Sequence, residues 1–270
     1  MSINHKIIGE GFPIVILHGW SLDHQTMSSC LEPIFKERSG WKRIYIDLPG
    51  MGKSQPQEDI KNSDDILEVI LKFIDQLIPN QPFLLCGQSY GGYLDRGILH
   101  FRRDLVRGML LIAPVIIADH DERNVPDHQI LRKDPSLISR LSSEDVAEFE
   151  PMAVIQGEQE WKRFCEEILL PSRNANTEFM DPIQRDGYGF TFDVDSDPSP
   201  FEYPTLIITG RQDSSVGYKD AWELIDDYSR ATFATLDMAG HNLQIEQPDV
   251  FESLVNNWLD RAESIPSVKQ

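Results

Sequence analysis

Short apolar runs alternate with amphipathic stretches through the first 118 residues of the chain, and again after residue 198. "PIVILHG" (13–19) is brief, β-branched and ended by glycine, which predicts a buried strand. "LDHQTMSSCLEPIF" predicts a helix, and "KRIYIDLPG" (42–50) a second strand. In "SDDILEVILKFIDQLI", Ile66, Val69, Ile70, Phe73, Ile74 and Leu77 share one helical face. Acidic residues open that segment, where a helix dipole favours them. "PFLLCG", "GMLLIAPV", "TLIITG" and "ATFATLDM" predict further strands. "GGYLDRGILHF", "YKDAWELIDDYS" and "PDVFESLVNNWL" predict the helices that accompany them. Strands apolar on both faces and separated by helices pair into a mostly parallel sheet with helices around it, an α/β fold.

The rhythm breaks between about Asp119 and Asp197, where helical fragments and several prolines replace the strand pattern. "SDPSP" (196–200) closes this stretch as a linker would. The expected organisation is therefore a core of residues 1–118 and 198–270 with a helical insert at 119–197. The insert holds 19 acidic against 8 basic residues, a net −11, out of −19 for the whole chain.

That charge argues against a nucleic-acid partner, since a polyanion would be repelled and no basic patch offsets it. No apolar run reaches the roughly 18–20 residues that span a bilayer. The N-terminal stretch lacks the pattern of a secretory signal. Cys30, Cys86 and Cys165 are odd in number and widely spaced, which suits free thiols in a reducing cytoplasm better than disulfides or a zinc site. The expectation is a protein with no metal and no organic cofactor.

Chemistry enters with "CGQSYGG" (86–92). Gly87-Gln88-Ser89-Tyr90-Gly91 fits G-x-S-x-G at a strand-to-helix junction, the setting in which this motif presents a serine hydroxyl at a sheet edge. A serine needs a base, and the base an orienting acid. Asp213 follows the strand "TLIITG" and His241 follows the last strand, so all three lie where open parallel sheets build their sites. The order Ser89, Asp213, His241 suits the same architecture. Asp119, after the preceding strand, is the other acid within reach of such a site.

On these motifs the chain resembles the α/β-hydrolase superfamily over about residues 10–262. "LHGW" resembles its oxyanion loop, "DLPGMGKS" (47–54) its D-x-x-G-x-G-x-S turn, "GRQD" its acid segment and "AGH" its histidine loop. The resemblance implies a serine hydrolase with Ser89, His241 and Asp213 as nucleophile, base and acid. It also implies the backbone N–H groups of Trp20 and Tyr90 as oxyanion donors, and 119–197 as a helical cap. A small neutral carboxylic ester is the expected substrate. Carbon–carbon cleavage of a vinylogous diketone is the alternative, and similar enzymes cleave amides, lactones or thioesters. A binding protein on the same fold is the reading from another class, but it has no need of an intact nucleophile, base and acid.

Two further features bear on the site. "GMGKS" is not a phosphate-binding loop, because Asp47 stands where that motif needs glycine. His18, Asp47 and Ser54 read as loop-stabilising. Asp95, six positions after Ser89, stands where the family more often carries a small residue. A buried carboxylate is costly, so Asp95 is expected either to pair, with Arg96 or Arg102 nearby, or to reach water.

Overall fold

The computed structural model describes residues 3–266 and 268, and the alternating pattern forms one seven-stranded sheet. Its strands are β1 (His5–Ile8), β2 (Phe12–Leu17), β3 (Trp41–Ile46), β4 (Phe83–Gln88), β5 (Val106–Ile112), β6 (Thr205–Gly210) and β7 (Ala231–Leu236). They lie in the order β1-β3-β2-β4-β5-β6-β7. All neighbours pair in parallel except β1, which runs antiparallel to β3. β4 and β6 are buried at every position, which is why their sequences are continuous apolar runs rather than alternating ones.

Two elements depart from the sequence reading. β1 has no apolar run because it is an edge strand with exposed side chains, so periodicity alone misses it. The stretch expected as one helix from Tyr218 to Ser229 is a single turn, Lys219–Glu223, followed by a tighter turn at Ile225–Asp227. A backbone partner distant in sequence takes the place of continued helix: Phe201 N–H donates to Asp227 O (2.7 Å), and Ser229 N–H to Phe201 O (3.1 Å).

Residues 119–197 contribute the helices Pro135–Ile138, Ser143–Phe149, Glu158–Phe164, Leu170–Asn174 and Thr177–Asp186. Apart from one isolated bridge between Arg132 and Ile155, they form no β-structure. The segment's apolar cluster of Leu137, Phe149, Ala153, Phe164, Ile168 and Leu169 closes on Leu22, from the loop after β2, and Ile245, from the short helix Leu243–Glu246 after β7.

One irregular turn fastens it. Between Phe164 and Leu170 the helix widens, with Leu170 N–H bonding back five residues to Cys165 O. Pro171 has no N–H to give the Glu167 carbonyl, and the buried Thr26 hydroxyl takes its place at 2.5 Å. The widened turn carries Ile168 and Leu169 to the wall of a cavity that Ser89 also lines.

Candidate active site

β4 ends at Gln88 and the helix Tyr90–Arg102 starts at the next residue but one, leaving Ser89 alone to turn the chain. Its φ of 53° and ψ of −116° lie where a residue with a side chain sits only under strain. Neighbouring strands hold it there. Ser89 N–H donates to Ile112 O (2.9 Å), and Ser89 O accepts from Tyr93 N–H (3.2 Å) and Val115 N–H (3.0 Å). The flanking glycines are required by space. A Cβ on Gly87 would sit 2.5 Å from the Gly91 carbonyl, and one on Gly91 would strike the carbonyls of Leu17 and His18.

Three side chains far apart in sequence meet at this turn. His241 Nδ1 lies 2.9 Å from Asp213 Oδ2, and His241 Nε2 lies 2.9 Å from Ser89 Oγ. Asp213 is fully buried, and its other oxygen accepts from the N–H groups of Ser215 (2.8 Å) and Val216 (3.0 Å). A carboxylate only accepts, so the ring proton belongs on Nδ1. The Nε2 lone pair then faces the Ser89 hydroxyl, the arrangement in which an imidazole can take its proton. Asp119 is elsewhere: its carboxylate accepts from Asp121 N–H (3.0 Å) and lines a neighbouring cavity.

Among the described residues, neither Trp20 N–H nor Tyr90 N–H is committed to a hydrogen bond. Tyr90 opens its helix, where backbone N–H groups are unpaired and the dipole is positive. The two side chains do other work. The buried Tyr90 hydroxyl bonds Ser63 Oγ (2.6 Å), and Trp20 Nε1–H donates to Gln184 Oε1 (3.2 Å). Their rings meet edge-on with centroids 4.8 Å apart.

His18 stiffens the loop that carries Trp20. Leu48 N–H donates to its Nε2 (3.0 Å), which leaves Nδ1–H to donate to Gly19 O (2.7 Å). Burial lowers its pKa, so the ring stays neutral in this role. Asp47 is saturated by His24, Lys53 and Asn4, and its carbonyl accepts the Ser54 hydroxyl (2.6 Å), so both residues belong to the turn.

Asp95 meets neither expectation. It is fully buried and neither oxygen has a partner, because Arg96 binds Asp195 and Arg102 binds Asp75 instead. Burial pushes its pKa well above the usual carboxylate range. The folded state therefore keeps a proton that the unfolded chain sheds near pH 4. Its stabilising effect is complete below that pH and is lost as pH rises toward the folded-state value. Asp95→Asn removes this dependence, so the variant should gain on wild type as pH rises from 5 to 8, at no more than about 1.4 kcal/mol per pH unit. Urea unfolding at the two pH values measures it, and parallel curves would show that Asp95 is solvated or paired.

The Ser89 and His241 side chains open into a cavity of about 340 Å³. Its apolar wall combines Leu22, Val115 and Val216 from the core with Met152, Phe164 and Leu169 from the 119–197 segment. Sequence reasoning left these wall residues unnamed, because nothing local distinguishes them from ordinary core positions. A second cavity of about 540 Å³ lies behind Trp20, Arg123, Gln184 and Tyr188, which border both. Arg123 spends three N–H groups on the carbonyls of Ile117 (2.8 Å), Ala118 (3.0 Å) and Ser215 (3.1 Å).

Comparison with known proteins bears on the chain as a whole. Residues 13–248 match the family described as alpha/beta hydrolase fold. A pimeloyl-[acyl-carrier protein] methyl ester esterase of Shewanella woodyi is 26% identical, covering 96% of this chain and 98% of its own. A 2-hydroxy-6-oxo-6-(2'-aminophenyl)hexa-2,4-dienoic acid hydrolase of Metapseudomonas resinovorans is 21% identical, covering 95% of this chain and 87% of its own. The crystal structure of an alpha/beta superfamily hydrolase from Oenococcus oeni superposes with a TM-score of 0.89 at 34% identity, covering 97% of each chain.

Proposed function

The chain belongs to the α/β-hydrolase family, and from that premise we propose that it is a serine hydrolase of carboxylic esters with Ser89, His241 and Asp213 as its triad. The observation that carries the reading is the line of two 2.9 Å contacts from Asp213 through His241 to Ser89 Oγ. His241 takes the Ser89 proton as Oγ attacks the acyl carbon, while Asp213 fixes the tautomer and steadies the imidazolium. The N–H groups of Trp20 and Tyr90 hold the tetrahedral oxyanion. His241 returns the proton to the departing alcohol, then activates the water that releases the acid. The 119–197 segment acts as a cap, and its Met152, Phe164 and Leu169 meet the apolar part of the substrate. A reducing cytoplasm suits the free thiols of Cys30, Cys86 and Cys165.

Ester cleavage is favoured over carbon–carbon cleavage because methyl ester esterases recur among the relatives, at 26% and 25% identity over at least 93% of each chain. A panel of p-nitrophenyl esters of increasing acyl length tests the reading, and turnover of none of them would overturn it.

Charge sets a preference within that panel. The segment over the site carries a net −11. Of the segment's arginines, Arg173 pairs with Glu144 and Asp145, and Arg185 with Asp186. Arg123 lines the catalytic cavity, but Glu148 lines it too. A neutral ester should therefore outpace an anionic one of equal size in kcat/KM. The gap should narrow between about 0.01 and 0.5 M salt, as the screening length shrinks from about 30 Å to a few Å. A faster anionic ester at low salt would instead identify Arg123 as its binding group.

A further inference from the structure

Glu246 is a buried carboxylate that the triad does not use. It is 6% exposed and ends the short helix Leu243–Glu246, five residues after His241. Its two oxygens point at different parts of the molecule. Oε2 accepts from Gly240 N–H (2.6 Å), the residue directly before His241. Oε1 accepts from Val154 N–H (2.7 Å) and Ile155 N–H (3.2 Å), in the 119–197 segment. Met152, two residues from Val154, lines the catalytic cavity. The two loops are also packed together, since a Cβ on Gly240 would lie 2.9 Å from Val154 Cγ2.

We propose that Glu246 is a positioning residue that locks the histidine loop to the substrate-covering segment, so that His241 is held in line with Ser89 only while the segment is docked. The inference rests on the serine-hydrolase reading above. Its chemistry is that of an acceptor with no donor of its own. Three N–H groups converge on the carboxylate, two of them on Oε1, so a proton on Oε1 would displace a donor and a proton on Oε2 would weaken its acceptance from Gly240 N–H. Among the described residues, no side chain bonds Glu246, and its partners are all backbone N–H groups.

The charged groups around it are few. Asp213 lies on the histidine side together with His241. On the helix Glu158–Phe164, Arg163 pairs with Glu167 and also donates to Gln244 O (2.8 Å). Beside Val154, Arg132 pairs with Glu160. Burial, joined by the charge of Asp213, pushes the Glu246 pKa up to about 7 against the pull of the three N–H donors. The lock therefore loosens on the acid side of neutrality, where a proton removes the carboxylate's charge and weakens its hold on one loop.

The test is the rate at which a fluorophosphonate labels Ser89 as a function of pH, which requires no knowledge of the substrate. In wild type the rate should fall more steeply below pH 7 than a one-proton transition allows. Glu246→Gln should label about tenfold to a hundredfold more slowly at pH 8, the scale of loss from small misplacement of a reacting group, and should show a single-proton slope. Amide hydrogen exchange reads the lock directly and covers the case in which the variant fails to fold. In wild type, protection of Gly240, Val154 and Ile155 should drop together between pH 8 and pH 6, after correction for intrinsic exchange. A single-proton wild-type profile with unchanged protection at those amides would overturn the inference, as would a Glu246→Gln enzyme that labels like wild type. Absence of labelling in wild type would instead overturn the serine-hydrolase reading, while the exchange result would still stand on its own.

Discussion

Ser89→Ala is expected to lower ester turnover by at least about a thousandfold, toward the roughly 10⁶-fold loss that removal of a serine nucleophile produces elsewhere. In the proposed mechanism this hydroxyl forms the acyl bond. The fold should survive. Ser89 Oγ has one bonding partner, His241, and the backbone at this position is held by Ile112, Tyr93 and Val115 through main-chain atoms that alanine keeps. Alanine also tolerates the 53° φ no worse than serine does, since both carry a Cβ. Unfolding midpoints should therefore agree closely, while fluorophosphonate labelling disappears. A variant retaining wild-type turnover on every ester tested would remove Ser89 from the mechanism.

Asp213→Asn should be nearly as damaging, at about ten-thousandfold in kcat, the scale of the matching exchange in a serine protease. The hydrogen bonds around Asp213 show why. Oδ1 accepts from Ser215 and Val216 N–H groups, so an asparagine would place its oxygen there and turn its NH₂ toward His241 Nδ1. The ring would then accept at Nδ1 and carry its proton on Nε2, pointing at the Ser89 hydroxyl it must deprotonate. The base would be present but in the wrong tautomer. Asp119→Asn is the matched control. It should leave kcat near wild type, because that carboxylate contacts its own loop and not the histidine. If Asp119→Asn were damaging and Asp213→Asn harmless, the third member of the triad would be Asp119.

The positions of Ser89, Asp213 and His241 were legible because each sits in a local signal: glycine-flanked turns and the ends of apolar strands. Register and distance were not. The 2.9 Å contacts depend on how three strand ends stack in the sheet, which no contiguous stretch encodes. Glu246 shows the limit most clearly. In "NLQIEQP" it is one acid with no local motif around it, yet its partners Val154 and Ile155 lie about ninety residues earlier. Asp95 shows the converse: Arg96 and Arg102 are close in sequence, but helix geometry and better partners direct both to other acids.

By itself, then, the sequence determined the parallel core and the chemistry at its edge, because strand burial and turn-forming residues act over a few neighbours. The edge strand β1, the early end of the helix at Glu223, the apolar wall of the cavity and the tie through Glu246 were decided only by the tertiary structure. Each depends on a partner brought close by the whole fold: Arg43 to Ile46 beside β1, Phe201 beside Asp227, and the docked 119–197 segment beside the histidine loop. Backbone and carboxylate groups bond whichever partner the packed chain brings within reach, so their pairing is settled by three-dimensional proximity and not by order along the chain.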